Sequence, residues 1–485
     1  MKSYKGWMVI MGNINYEKLL EILKTSNSNM LVLGKAGAGK SYLIKELCKT
    51  REDIILGCPT GIAAMNINGR TLDSIFCIKQ NSIEYTFPKM DNYGILLMLK
   101  SNILLIDEIS MVKLNTLDNI DKTLKIIKRN EKPFGGLRLL FFGDMMQLEP
   151  IVGDYEMKNL IKEYVDFNGD AGFYNAKVMK ENNFFKDAFE IYFLKHNFRQ
   201  QKDVDFQDIL DEVREGKISS NTIKTLNKQY VDNFDYFQLH KEGYHILTLT
   251  NKTAMSINKE IIDKLPGDTY TCYPKTACFK KFEKRLGSTR INNIINIKVG
   301  LKVMFVVNDT GIRRRWANGT MGTIEEINHD DEGKVKSVTI KIKKGKYNVI
   351  YDVKKIRVNI DGLVNGLPEE VGYVVNFPFV PSLATTIHKM QGMTLEKAAI
   401  ILDSNIIHPN LMYVALSRVG ELKNLLILGR KLLSSDMITS EKIFNFLDSI
   451  ESRIQNVFYE LDNKVNAVVS GVKKKIIVKR NILSA

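Results

Sequence analysis

Cysteine is scarce, with five residues in 485: Cys48, Cys58, Cys77, Cys272 and Cys278. So few, odd and scattered thiols build no disulfide framework and suit a reducing compartment. Cys272 and Cys278 have no second Cys or His pair nearby, so a zinc site is not expected. Long apolar runs are also missing. "WMVIM" at 7–11 is too short for a signal-peptide core, and nothing approaches the ~20 residues that a membrane helix requires. The chain is therefore expected inside a cell, cytoplasmic or nuclear, with no membrane partner. No repeat recurs at a solenoid period. Acidic residues run short as well: 55 Asp and Glu face 70 Lys and Arg, a formal net charge of +15. That imbalance favours a polyanionic partner such as nucleic acid, against the plainer alternative of a merely basic protein.

Between residues 29 and 150, "NMLVLG", "DIILGCP", "NILLIDE" and "LRLLFFGD" are short apolar runs that end in polar or glycine residues. Strands buried on both faces read this way, so an α/β fold with a parallel sheet under helices is expected. Ligands of such sheets sit at the carboxyl ends of the strands, where these runs place their polar residues. A charged, mostly helical stretch covers about 155–235, and a second α/β pattern starts at "YHILTLTNKTAMSIN" (244–258). About 100 residues rich in β-branched, glycine and basic positions interrupt it, which predicts a small inserted antiparallel barrel. The pattern resumes at "FVPSLATTIHKMQGMTLEKAAIIL" and closes with "LMYVALSRV". The tail "VKKKIIVKR" is either a solvated edge strand or a phosphate-binding or nuclear-address segment.

Gly34-Lys35-Ala36-Gly37-Ala38-Gly39-Lys40-Ser41 fits G-x-x-x-x-G-K-[ST] between a strand and a helix, the context that makes the pattern meaningful. The loop N–H groups of Gly34, Ala36, Gly37, Ala38 and Gly39 and the helix start would cradle phosphates of ATP. Lys40 would neutralise the β and γ charges, and Ser41 would ligate Mg²⁺. "NILLIDEIS" carries Asp107 and Glu108 to a strand end. Asp107 can hold Mg²⁺ and Glu108 can polarise water; a helix cap is the alternative. "LLFFGDMMQLEPIV" adds Gln147, which can sense a γ-phosphate or orient water. "FLKHNFRQ" and "YVALSRV" contribute Arg199 and Arg418. A guanidinium from a second domain stabilises charge on the transferring phosphoryl group, and ties domain closure to that group.

The ordered set "GKAGAGKSYLIKEL", "CPTGIAAMNINGRTLDS", "LLIDEISMV", "KPFGGLRLLFFGDMMQLEPIV", "LKHNFRQ", "TNKTAMSIN", "NGTMGTI", "FPFVPSLATTIHKMQGMTLEKA" and "YVALSRV" resembles superfamily 1 DNA helicases of the PIF/RecD-like type, closest to the PIF group. The resemblance spans about residues 15–430. It implies a first RecA-like domain at 1–190 with a wedge insertion at about 75–100. The second RecA-like domain would start over 191–300 and finish over 376–435, around an SH3-like β-barrel at 301–375. A C-terminal helix and basic tail would follow at 436–485. It further implies ATP-driven 5′-to-3′ movement on single-stranded DNA with unwinding of duplex, in replication, repair or recombination. The expected partners are single-stranded and forked DNA, with replication or repair proteins besides, and the motor is expected to act as a monomer.

Carried over by position, the ATPase set is Lys40, Ser41, Asp107, Glu108, Gln147, Arg199 and Arg418, with Gly392 beside the γ-phosphate. Thr60, Asn66 and Thr71 would grip the DNA backbone from one jaw, and Thr386, His388 and Lys389 from the other. Hydroxyl, amide, imidazole and ammonium groups suit phosphates and sugars without reading sequence. "EYTFPKM" offers Tyr85, Phe87 and Pro88 as a wedge, with ordinary loop packing as the alternative; "GIRRRWANG" sets three arginines beside Trp316 for phosphate and base contacts. Two departures stand out. Glu17 and Lys18 occupy the region where the family usually has an adenine-reading Gln, and Asp73 puts an acid near the expected DNA path. The competing readings are a DNA-stimulated ATPase switch that remodels nucleoprotein without unwinding and, more distantly, a P-loop phosphotransferase.

Overall fold

A computed structural model describes residues 14–458, apart from 79–86, 89, 91, 165–166, 284–285, 287–288, 290, 310–314, 317, 345–346, 365–366 and 407. Its first sheet has eight strands, all parallel to their neighbours. From edge to edge they are Ile14–Asn15, Ile454–Phe458, Phe189–Leu194, Asn29–Gly34, Arg138–Gly143, Ile103–Ile106, Ile54–Cys58 and Arg70–Thr71. Alternate residues of the central strands point to opposite faces. Leu31, Leu33, Leu139 and Phe141 pack with Leu117, Leu124 and Phe173 on one side. Met30, Val32, Leu140 and Phe142 pack with Leu19, Leu23, Leu43 and Leu47 on the other. Truncating such a ring or leucine costs about 2–5 kcal/mol, because close-packed neighbours refill the hole only partly.

The four apolar runs are strands as expected. The strand Phe189–Leu194, however, pairs with Asn29–Gly34, so the boundary expected at 190/191 falls inside a strand of the first sheet. Ile454–Phe458, from the segment expected to hold only a helix and a tail, returns to pair with Phe189–Leu194. The basic tail lies outside the described residues.

The second sheet is parallel and five-stranded, in the order Ala384–Thr386, His245–Thr248, Ala398–Ile401, Leu425–Leu428, Tyr230–Val231. The short helix Leu411–Leu416 lies between its strands Ala398–Ile401 and Leu425–Leu428 in sequence and is buried along its length. One apolar core runs through both lobes: Leu247, Ile400, Tyr413 and Ile427 belong to the same cluster as Leu31 and Phe141.

Between these halves of the second lobe the chain turns antiparallel. Five strands line up as Tyr347–Lys354, Val335–Lys344, Met321–His329, Lys302–Phe305 and Phe379–Pro381. A three-stranded sheet pairs Lys275–Cys278, Leu367–Asn376 and Ile356–Val364. Trp316 does not face the solvent as a stacking platform: it is 4% exposed and stacked on Phe305 at 4.5 Å between ring centroids. Arg315 covers it at 4.3 Å and pairs with Asp309, while Arg313 and Arg314 lie outside the described residues. The apolar indole is worth more inside this insertion than against water.

Candidate functional site

The strand Asn29–Gly34 delivers the glycine loop to the start of the helix Lys40–Cys48. Gly37 has φ +82°, and a Cβ there would lie 2.6 Å from Arg199 Cβ. Only glycine meets both demands at no steric cost. The Gly37 carbonyl accepts the Phe198 N–H at 2.9 Å, so the loop that carries Arg199 is bound directly to the glycine loop. Lys40 is buried, and its ammonium donates to the carbonyls of Gly34 at 2.7 Å and Lys35 at 3.1 Å. Ser41 opens the first helical turn beside it.

Asp107 and Glu108 follow the fully buried strand Ile103–Ile106. The Glu108 N–H donates to Asp107 Oδ1 at 2.9 Å, and Glu108 itself sits at φ +54°. Burial, with the neighbouring Glu108 charge, pushes the Asp107 carboxyl up to about 7 against the opposing pull of Lys40. Glu108 Oε2 finds no hydrogen-bond partner among the described residues, and neither does Gln147 Oε1. Buried polar atoms left in that state are costly unless a ligand or water meets them.

Asp144, with 0% exposure, is the hub of the cleft. Its Oδ1 accepts from Arg214 Nη2 at 3.3 Å and the Met146 N–H at 3.2 Å. Its Oδ2 accepts from the Tyr413 hydroxyl at 3.0 Å and Gln147 Nε2 at 3.3 Å. Burial would raise this carboxyl, but Arg214, Lys40 and the bonds from Tyr413 and Gln147 outweigh it and hold it below the usual range. The Tyr413 hydroxyl also accepts the Ala36 N–H at 3.1 Å. One phenol from the second lobe thus touches both the glycine loop and Asp144. Sequence reasoning passed over Tyr413, although it opens the "YVALSRV" run read for its arginine; Arg214 carried no motif signal.

The two arginines converge across the lobes. Arg199 Nη1 donates to the Ser417 carbonyl at 2.8 Å. Arg418 is 1% exposed and donates to the carbonyls of Val414, Met390 and Met393 and to Ser417 Oγ. Burial and the nearby Arg199 charge draw Arg418 down to about 9, while Glu108, Tyr413 and Asp144 pull it back up; it remains a cation at neutral pH. Burial likewise lowers Arg199, against Tyr413 and Glu108. Gly392 belongs to the same neighbourhood, since a Cβ there would lie 3.6 Å from Glu108 Oε1. Its carbonyl accepts Asn66 Nδ2 at 2.9 Å, joining the loop after the second strand to the other lobe.

The remaining predicted residues fall into two groups, one on each lobe. Thr60 Oγ1 accepts the Ala63 N–H and Thr71 Oγ1 accepts the Ser74 N–H, so both cap short helices. Thr386 is buried at the end of a strand, His388 is half-buried and Lys389 exposed. Burial, helped by His408 at 5.4 Å between ring centroids, lowers His388 to about 4, so its imidazole is neutral at pH 7. The antiparallel insertion reaches across as well: a Cβ on Gly61 would collide with the Asn318 carbonyl. Phe87 is 46% exposed; Tyr85 lies outside the described residues.

The PIF1-like helicase family matches residues 14–224. Over 89% of the chain it is 27% identical to the ATP-dependent DNA helicase Pif1 of Bdellovibrio bacteriovorus, covering 90% of that protein. The Pif1 helicase of Campylobacter jejuni is likewise 27% identical over 89% of the chain and 98% of its own length. Among solved structures, Bacteroides Pif1 in complex with ADP-AlF3 and single-stranded DNA aligns at a TM-score of 0.76 and 27% identity, over 92% of this chain and 98% of that one. Unliganded Pif1 from Bacteroides sp. aligns over the same shares at 0.58. The overall match is thus higher to the DNA-bound structure than to the unliganded one. Sequence over residues 14–224 and fold over most of the chain are thus similar to those of PIF1-like helicases.

Proposed function

We propose that the chain is an ATP-dependent DNA helicase that moves 5′ to 3′ along single-stranded DNA and unwinds duplex, in replication, repair or recombination. The observation that carries this reading is the cleft itself. Glycine-loop, acidic and glutamine groups of the first lobe meet Tyr413 and Arg418 of the second around buried, unsatisfied oxygens. In this reading Lys40, now on loop carbonyls, swings to the β and γ phosphates of ATP. Glu108 takes a proton from the attacking water and Gln147 orients it. Arg199 and Arg418 stabilise charge on the transferring phosphoryl group.

The Ser41 hydroxyl and the Asp107 carboxylate are hard oxygen donors, and the latter is buried and costly to ionise alone, a chemistry that would suit Mg²⁺. Bound there, Mg²⁺ would neutralise phosphate oxygens. Asn66 and Gly392 tie the DNA rim to Glu108, so hydrolysis and grip would change together. Thr60, Asn66 and Thr71 on one rim, and Thr386, His388 and Lys389 on the other, would hold phosphates and sugars. We read the antiparallel insertion as an SH3-like barrel that closes a channel against the helix starting at Gly61, and Phe87 as part of the wedge. Forked DNA would be the natural substrate.

A strand-displacement assay tests this. The wild type should unwind a 5′-tailed fork with ATP, and Phe87→Ala should lose unwinding while keeping DNA-stimulated hydrolysis. A wild type that hydrolyses ATP on DNA without displacing a strand would instead favour the nucleoprotein-remodelling switch.

A further inference from the structure

Gln147 has two faces, and the structure assigns them. Asp144 is ionised and so can only accept hydrogen bonds, which requires the nitrogen of the Gln147 amide to face it at 3.3 Å. The other end, Oε1, is buried and lacks a partner among the described residues. Gln147 therefore presents an acceptor, suited to a hydrogen of the attacking water, rather than a donor aimed at phosphate. That choice lasts only while the Asp144 carboxylate is held in place. The second donor to its Oδ2 is the Tyr413 hydroxyl at 3.0 Å, whose lone pair takes the Ala36 N–H at 3.1 Å. A continuous chain of hydrogen bonds thus runs from the glycine loop through Tyr413 and Asp144 to Gln147, and its second member comes from the other lobe. Arg214 anchors the opposite oxygen of Asp144 from inside a buried pair.

We propose that Tyr413 is a positioning residue: by reaching Asp144 only when the lobes are closed, it holds Gln147 with Oε1 toward the nucleophilic water and so makes hydrolysis depend on closure. This rests on the helicase reading and deepens it. When the lobes part, Oδ2 loses its phenol and Ala36 its acceptor, and the Asp144 carboxylate is free to draw Lys40, whose charge already acts on it. Gln147, bonded to that carboxylate, then moves with it and carries Oε1 out of place. A networked buried bond of this kind acts as a unit, so its members should not contribute independently.

The test uses the full chain with ATP, Mg²⁺ and saturating single-stranded DNA. Tyr413→Phe removes the hydroxyl and keeps the ring that packs in the core. It should lower kcat about tenfold, the scale of one lost hydrogen bond in the transition state, with KM for ATP and DNA affinity within about twofold of wild type. In a Gln147→Ala background the same change should cost nothing further. A Tyr413→Phe enzyme that turns over at the wild-type rate overturns the proposal. So does a loss that multiplies fully with that of Gln147→Ala, or one that appears in KM alone. A wild type without DNA stimulation sinks the helicase reading, and this inference with it; a stimulated wild type matched by Tyr413→Phe sinks the inference alone.

Discussion

Side chains around the Asp144 cleft meet across the lobes on buried atoms, whereas Thr60 and Thr71, on one of the rims we propose for DNA, serve their own lobe. Asp144 takes hydrogens from Tyr413, Arg214 and Gln147; Thr60 and Thr71 cap the helices on which they stand. On the proposed reading the contrast follows from the ligands. A transferring phosphoryl group rewards charges fixed in advance in a water-poor site, and a moving backbone rewards exposed groups that can let go. Changes in the cleft should therefore strike hydrolysis and stability hard, and changes on the rims should tune affinity.

The largest effect is expected from Lys40→Ala, which should cut ATP hydrolysis by about a hundredfold to a thousandfold and abolish unwinding, measured by phosphate release. Arg214→Ala comes next. It leaves Asp144 ionised and buried without its cation, a loss of about 3–5 kcal/mol to be read by thermal or denaturant unfolding. If the melt hardly moves, the cleft is wetter than its burial indicates.

A pH series separates the two buried aspartates. Asp107 has its carboxyl raised to about 7, so the folded state holds a proton that the unfolded chain releases near pH 4. That contribution to stability is complete below the unfolded value and is lost as pH rises toward 7. Asp144 is shifted the other way, so its contribution is present at neutral pH and fades only in acid. Between about pH 5 and 7.5, the nucleotide-free protein should lose stability as pH rises, and Asp107→Asn should flatten that slope. A slope unchanged by the substitution would detach it from Asp107. The smallest expected effect is on the rims. Asn66→Ala removes one inter-lobe bond and should weaken single-stranded DNA binding by about threefold to tenfold, measured by fluorescence anisotropy at fixed salt.

Those same differences decide what the sequence could reveal. The glycine loop, the Asp107–Glu108 pair and Gln147 were legible because each follows an apolar strand closely in sequence. Arg199 and Arg418 were legible as arginines in recognisable runs, and they do meet around Ser417. Tyr413 and Arg214 were not, because their work lies in contacts with residues 269 and 70 positions away. Ile454–Phe458 escaped notice because "IQNVF" is short and mixed, and pairing with a distant strand makes it part of the sheet. Trp316 misled for a related reason. Beside arginines it reads as exposed, yet Phe305 offers its ring a buried face.

ATP hydrolysis with and without single-stranded DNA, in the wild type and in Arg418→Ala, bears most directly on a cleft shared by two lobes. Strong stimulation by DNA in the wild type, and its loss in a folded Arg418→Ala protein, is the predicted result. Equal wild-type rates with and without DNA, or a stimulated Arg418→Ala enzyme, would contradict it.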